Sequence, residues 1–205
     1  MEVPLSSVSK GLFLYSCSMS ENWFATWFDS PLYHILYAHR DNTEAKRFIS
    51  TLFDHLAPKQ GVQVLDLACG RGRHAIEIQK LGFNVTGVDL SKQSIDFAQS
   101  FANENLRFER QDMRKLPYDQ QFDIVVNLFT SFGYFRKPSD NINVLNSIRK
   151  ALKPGGTFVL DYLNPEPVIQ KITPKETVTK DGYTFHITRS FDEGRIIKEI
   201  AVSDG

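Results

Sequence analysis

Val64-Leu65-Asp66-Leu67-Ala68-Cys69-Gly70-Arg71-Gly72-Arg73-His74 is the stretch on which the fold depends. A short apolar run ends in small residues and passes straight into a helical pattern, with Ala75, Ile78 and Leu81 forming one stripe. Gly70 and Gly72 let the backbone turn sharply and approach a ligand with no Cβ in the way. In an open α/β sheet, the carboxyl end of such a strand is where ligands bind.

The same alternation repeats outward. Strands are expected at Val62–Leu67, Asn84–Val88, Arg107–Arg110, Phe122–Leu128 and Thr157–Tyr162. Ile124-Val125-Val126 shows no polar alternation, as in a parallel strand covered on both faces. Ile95, Ala98, Phe101 and Ala102 form a second helical stripe, and Ile142, Leu145, Ile148 and Leu152 a third. Ser91 and Ser139 are expected N-caps, and Lys153-Pro154-Gly155-Gly156 stops the third helix and turns the chain into the next strand. Repeated strand–helix–strand order gives the fold class: α/β, a doubly wound and mostly parallel sheet of Rossmann-like type.

The flanks differ from this core. Residues 1–20 are expected as a flexible tail, with Met19 a candidate natural start. Residues 21–58 form an N-terminal helical cap rich in aromatics (Trp23, Phe24, Trp27, Phe28, Tyr33, Tyr37), broken at Pro31 and ended at Pro58. The aromatic cluster is expected as core rather than a platform for stacking bases. Residues 59–165 make the cofactor-binding core. In residues 166–205 two turn signals, Lys180-Asp181-Gly182 and Asp192-Glu193-Gly194, separate three β-like runs, and Tyr183, Phe185 and Ile187 alternate with polar residues. That pattern predicts an antiparallel meander with one buried face. Its turns are too tight for a further helix and closing hairpin beside the fifth strand. The natural chain is therefore expected to continue past Gly205, with the meander serving as a lid or a homodimer contact.

Composition narrows the function. The chain has 205 residues, with 24 Lys plus Arg against 24 Asp plus Glu, so nucleic acid is an unlikely partner for want of clustered positive charge. Cys17 and Cys69 suggest no disulfide framework, and a reducing, cytoplasmic setting fits. Gly11-Leu12-Phe13-Leu14-Tyr15 after Lys10 is too short for a signal peptide, and no run is long enough to span a membrane. The five histidines (His34, His39, His55, His74, His186) lack the spacing of a zinc site, so no metal is expected. His74 is expected to serve packing or the surface.

Two ligand classes compete for the glycine loop. Gly70-Arg71-Gly72-Arg73-His74-Ala75 satisfies the G-x-G-x-x-A form of a dinucleotide fingerprint, which would suit a NAD-dependent oxidoreductase. Asp66 argues otherwise, because it puts a carboxylate where a pyrophosphate would lie. An anion there suits a ligand carrying an ammonium and a sulfonium, although Arg71 and Arg73 offset part of its charge. Asp89, closing the second strand, is placed to take both hydroxyls of a ribose.

Asp66-Leu67-Ala68-Cys69-Gly70-Arg71-Gly72 resembles motif I of class I S-adenosylmethionine-dependent methyltransferases, with Ala68 in place of the usual first glycine. Val88-Asp89-Leu90-Ser91, Gln111-Asp112-Met113, Asn127-Leu128-Phe129 and Leu152-Lys153-Pro154-Gly155-Gly156 resemble the later motifs, in order. Tyr33 with His39-Arg40-Asp41, and the late meander, are similar to small-molecule N-methyltransferases of the glycine and amino-sugar type. The resemblance implies S-adenosylmethionine as cofactor. Asp66 would hold its ammonium, directly or through water, Ala68, Gly70 and Gly72 would give close backbone approach, Asp89 would grip the ribose, and Leu90 and Leu128 would be further cofactor-binding residues. Asp112 and the Met113 backbone would take adenine, the Asn127 carbonyl would help orient the methionyl part, and Arg40 would pair with its carboxylate.

Methyl transfer from a sulfonium is an in-line displacement that needs alignment more than acid–base chemistry. No residue is marked as a base; Tyr33, His34 and Tyr134 are weak candidates, and the catalytic residues stay unassigned. Asn127 is not followed by the Pro-Pro-Tyr/Phe pattern of amino-group nucleic-acid methyltransferases. A small-molecule acceptor, amine or hydroxyl, is expected, with an RNA-modifying enzyme or a non-catalytic cofactor-binding module as rivals.

Overall fold

The computed structural model describes residues 12–16, 23–38, 42–192 and 194–204. The chain divides into two compact units, one made of Arg40–Leu163 and the other of Met1–His39 with Asn164–Gly205.

The first unit carries the parallel sheet. Its helix α3 (Asn42–Leu56) leads into β2 (Gln63–Leu67), α4 (Arg73–Lys80), β3 (Asn84–Asp89), α5 (Lys92–Ala98), β4 (Leu106–Arg110), β5 (Phe122–Asn127), α6 (Pro138–Ala151) and β6 (Leu152–Leu160). The strand order is β4-β3-β2-β5-β6, all parallel. The order reverses between β2 and β5, and their carboxyl ends flank the crevice where this architecture binds ligands. Val64, Leu65, Leu67, Val125 and Val126 have no exposed surface, which explains the absence of polar alternation in these strands.

On one face Ile49 and Phe53 of α3, Ile78 of α4 and Ile95 of α5 share a core with Val64, Val85, Leu106, Phe108, Ile124 and Val126. Each such side chain contributes roughly 1.5–3 kcal/mol through burial. Ser91 caps α5, accepting from the Ser94 amide at 3.0 Å.

Two helical expectations are corrected. Helix α6 begins at Pro138 behind Lys137, so Ser139 is not its cap. It buries Val144, Ile148 and Ala151, while Ile142 and Leu145 are 57% and 44% exposed. This helix carries two apolar stripes at helical spacing, and periodicity alone cannot choose between them. Leu81 and Phe101, placed in the first two stripes, are also exposed. The last strand begins at Leu152, five residues before the expected Thr157. Leu152 pairs with Phe122 and Thr157 with Ile124, so Lys153–Gly156 bulges out of the ladder between them.

The second unit holds β1 (Leu12–Ser16), α1 (Trp23–Phe28), α2 (Pro31–Leu36), α7 (Pro165–Gln170), β7 (Lys175–Lys180), β8 (Tyr183–Asp192) and β9 (Arg195–Asp204). The strands form an antiparallel sheet in the order β1-β9-β8-β7. Leu12–Ser16, expected in a flexible tail, pairs with Glu199–Ser203. Cys17 and the rest of that tail lie outside the described residues. The β7–β8 turn has Asp181 and Gly182 both at positive φ (+48° and +78°), as a two-residue hairpin of type I′ requires. Cross-strand pairs Phe185–Val202 and Ile187–Ile200 are buried with Trp27, Leu32 and Leu36. The aromatic run is thus partly core, with Tyr33 packed 5.0 Å from the rings of both Phe28 and Tyr37. The meander belongs to this sheet and adds no strand beside β6.

Candidate functional site

The loop after β2 is built from three left-handed residues, Ala68, Gly70 and Gly72, at φ +61°, +56° and +83°. Ala68 holds this conformation at a cost of about 1–2 kcal/mol, which is why a glycine usually stands there in the resembling motif. A Cβ on Gly70 would meet nothing within 4 Å, so the space beside its backbone is open. Gly72 differs, since a Cβ there would come within 2.6 Å of the Phe108 ring. Its missing side chain serves the packing of α4 against β4 as well as the turn.

Asp66, one residue before the end of β2, has 2% of its surface exposed, and its Oδ2 has no hydrogen-bond partner. Burial pushes its pKa up from 3.8 to about 7, and the Asp89 charge adds to this. The Ala75 amide and the Arg73 charge pull the other way. Asn127, fully buried at the end of β5, donates its amide to the Leu67 carbonyl at 2.8 Å, leaving its Oδ1 unpartnered. The Asn127 main-chain carbonyl, expected to face a ligand, already accepts from the Asp161 amide at 2.9 Å. One lone pair of that carbonyl remains, and the side-chain Oδ1 is a second acceptor beside it.

Asp89 binds backbone rather than standing free. Its Oδ2 accepts from the Gly70 amide and its Oδ1 from the Ser91 amide, both at 2.8 Å. A carboxylate has about four lone-pair positions, so acceptor capacity remains. The Leu90 carbonyl takes the Arg110 Nε–H at 3.0 Å. Asp112 is clamped by Arg114, whose Nε reaches Oδ1 and Oδ2 at 3.0 and 3.1 Å and whose Nη2 reaches Oδ2 at 2.7 Å. Burial pushes the Asp112 pKa up, but the Arg114 hydrogen bonds and charge outweigh it and hold the carboxyl below its ordinary value. Met113 opens the short 3₁₀ turn that Asp112 caps. Leu128 is buried in the sheet core, and Arg40 lies outside the described residues.

Cys69 is buried, and burial, followed by Asp66 and Asp89, pushes its thiol pKa well above the usual range, which disfavours the thiolate that a reactive cysteine needs. No group of three or more metal-ligating side chains occurs among the described residues.

Asp161 was not among the expected site residues, and His74 was expected to serve packing or the surface. Phe129 and Thr130 sit at φ +62° and +57°, and Asp161 holds them: its Oδ2 accepts from the Phe129 amide at 2.9 Å and its carbonyl from the Thr130 amide at 3.2 Å. Two consecutive non-glycine residues in that region mark stored strain of the kind found at functional sites. Asp161 follows the apolar run of β6, the same strand-end signal that pointed to Asp66 and Asp89. Arg73 stacks 4.7 Å from the Phe129 ring and pairs with Glu44 of α3 at 2.9 Å.

A family profile described as a methyltransferase domain matches residues 64–156, which include Asp66, Asp89, Asp112 and Asn127. That segment is a methyltransferase domain. The chain is 33% identical over 150 residues to the putative methyltransferase YqeM of Bacillus subtilis, covering 70% of this chain and 60% of that protein. It is 28% identical to a dTDP-3-amino-3,4,6-trideoxy-alpha-D-glucopyranose N,N-dimethyltransferase of Streptomyces venezuelae, over 64% of this chain and 56% of that one. The chain thus spans less than two thirds of either relative. In fold, it is similar to an S-adenosylmethionine-dependent methyltransferase from Clostridium acetobutylicum, with a TM-score of 0.66, 23% identity, and 90% and 75% of the two chains covered. No helix among the described residues is long and apolar enough to cross a membrane.

Proposed function

We propose that this protein transfers a methyl group from S-adenosylmethionine to a small-molecule amine or hydroxyl. The observation that carries this reading is the buried, unpartnered Oδ2 of Asp66 at the switch point of a methyltransferase domain. A buried acceptor without a donor costs about 1–3 kcal/mol, so such a site favours a ligand that supplies one. An α-ammonium does, and a pyrophosphate does not.

Asp66 and Asn127 hold the ammonium, and the open side of Gly70 admits the ligand next to the backbone. Asp89 takes the ribose hydroxyls with its remaining lone pairs while keeping Gly70 and Ser91 in place. The Asp112–Met113 turn receives the adenine, and Arg40 is the proposed partner of the carboxylate. The bound cofactor supplies an electrophilic methyl on a sulfonium. The protein's own contribution is to exclude water and align the acceptor behind that methyl. An amine acceptor need only arrive neutral, which is consistent with the lack of a marked base. The amino-sugar specificity of the Streptomyces relative makes sugar amines the first acceptors to try.

The test is transfer of labelled methyl from S-adenosylmethionine to a panel of amines, amino acids, amino sugars and phenols, with total RNA as a separate arm. Transfer to a small molecule is expected. Transfer to RNA alone, or to no member of the panel, contradicts the assignment.

A further inference from the structure

We propose that His74 is a ligand-binding residue, the third acceptor for the cofactor's ammonium beside Asp66 and Asn127. The proposal rests on the S-adenosylmethionine reading above and adds a residue that the motif resemblance does not assign.

Of the four buried side-chain atoms among this unit's described residues that lack partners, Asn141 Oδ1 lies on α6. The other three belong to the strand ends and the first turn of α4: Asp66 Oδ2, Asn127 Oδ1 and His74 Nε2, the last an acceptor when the proton sits on Nδ1. They are linked through short connections. Asp66 accepts from the amide of Ala75, the residue after His74. Asn127 donates to Leu67, the residue after Asp66, at 2.8 Å. Because Leu67 offers a carbonyl, the Asn127 amide nitrogen must face it, and the oxygen is turned the other way. The His74 ring lies 5.7 Å from that of Phe129, two positions beyond Asn127, and 6.1 Å from Phe48 of α3.

His74 is only 7% exposed, and packing on Phe48 and Phe129 fixes its ring plane without satisfying its nitrogen. Burial, followed by the Arg73 charge, lowers its pKa from 6.5 to about 3. The imidazole is thus neutral at working pH and has one nitrogen able to accept. A primary ammonium carries three N–H donors, and three unpartnered acceptors meet that demand, one of them a charged carboxylate. A pyrophosphate or a neutral adenosine end offers nothing that would use all three.

The experiment compares His74→Phe and His74→Gln with the wild type by calorimetric binding of three probes. S-adenosylhomocysteine carries ammonium and carboxylate, decarboxylated S-adenosylmethionine the ammonium without the carboxylate, and 5′-methylthioadenosine neither. Phe keeps the ring packing and removes the acceptor; Gln restores an acceptor. His74→Phe should bind the first two probes about tenfold more weakly, as expected for one hydrogen bond to a charged partner. Its affinity for 5′-methylthioadenosine should stay within twofold, and His74→Gln should recover part of the loss. The 5′-methylthioadenosine arm also reports whether the variant is folded. Equal weakening of all three probes, or no loss for the ammonium-bearing pair, overturns the proposal. Failure of the wild type to bind S-adenosylhomocysteine would instead sink the cofactor reading.

Discussion

Ligand-free protein should become less stable as pH rises from about 4 to 7, and Asp66→Asn should abolish most of that slope. Burial and the Asp89 charge raise the Asp66 pKa from 3.8 to about 7 in the folded state. For a raised acid, the favourable condition is low pH, where the group is neutral both folded and unfolded. The cost appears once the unfolded chain ionises and is complete above the folded pKa. The displacement corresponds to on the order of 4 kcal/mol for this fully buried group. Urea titrations of wild type and Asp66→Asn at pH 5 and 8 measure the difference. The variant should be the more stable at pH 8, with the gap shrinking toward pH 5. A wild-type slope no steeper than the variant's would mean that Asp66 is not ionising in a dry site. Ligand affinity should move the opposite way. It should climb with pH toward 7 as Asp66 ionises, then fall as the ligand's own α-amino group, with a pKa of about 7.7–8.0, loses its proton.

Asp89→Ala should be the most damaging single change to the binding crevice. It removes the two bonds to Gly70 and Ser91 along with the proposed ribose contacts. S-adenosylhomocysteine should bind about 1.5–3 kcal/mol more weakly, the usual worth of hydrogen bonds to a charged group. The same change takes away an influence that raises the Asp66 pKa, so the pH midpoint of ligand binding should move down. Calorimetry across pH separates the two effects. Unchanged affinity would remove Asp89 from the site, and an unmoved midpoint would show that the two carboxylates are not coupled.

Those two aspartates were legible in the sequence because their signals are local. Asp66 stands one residue before the end of its apolar run and Asp89 closes its own, and residues that turn the chain come soon after: small ones from Ala68, and the N-cap Ser91. The five parallel strands were legible for the same reason, since a buried strand bounded by turn residues needs no distant information. The antiparallel meander announced itself through Asp181-Gly182, whose left-handed pair suits only a tight hairpin.

What stayed hidden depends on partners far along the chain. Leu12–Ser16 pairs with a strand at the opposite end of the sequence, and no adjacent turn signals that pairing. Asn127 was correctly placed at a strand end, but the bond its carbonyl accepts from Asp161 and the one its amide nitrogen donates to Leu67, which leaves Oδ1 unpartnered, depend on distant strands. Asp112 was matched to a motif without notice that Arg114 would occupy both of its oxygens. Which face of α6 meets the sheet was undecidable from spacing, because both candidate stripes are apolar. Local pattern thus located the crevice, while the availability of each atom inside it followed from tertiary pairing.

The central claim is that the crevice at the carboxyl ends of β2, β3 and β5 takes a sulfonium cofactor and not a dinucleotide. Calorimetric titration of the wild type and Asp66→Asn with S-adenosylmethionine and, separately, NADH at pH 7.5 tests it most directly. The account predicts micromolar-range binding of S-adenosylmethionine to the wild type, roughly −8 kcal/mol, clear weakening in Asp66→Asn, and no measurable NADH binding. Binding of NADH to the wild type without binding of S-adenosylmethionine, and tighter NADH binding in Asp66→Asn, would contradict it.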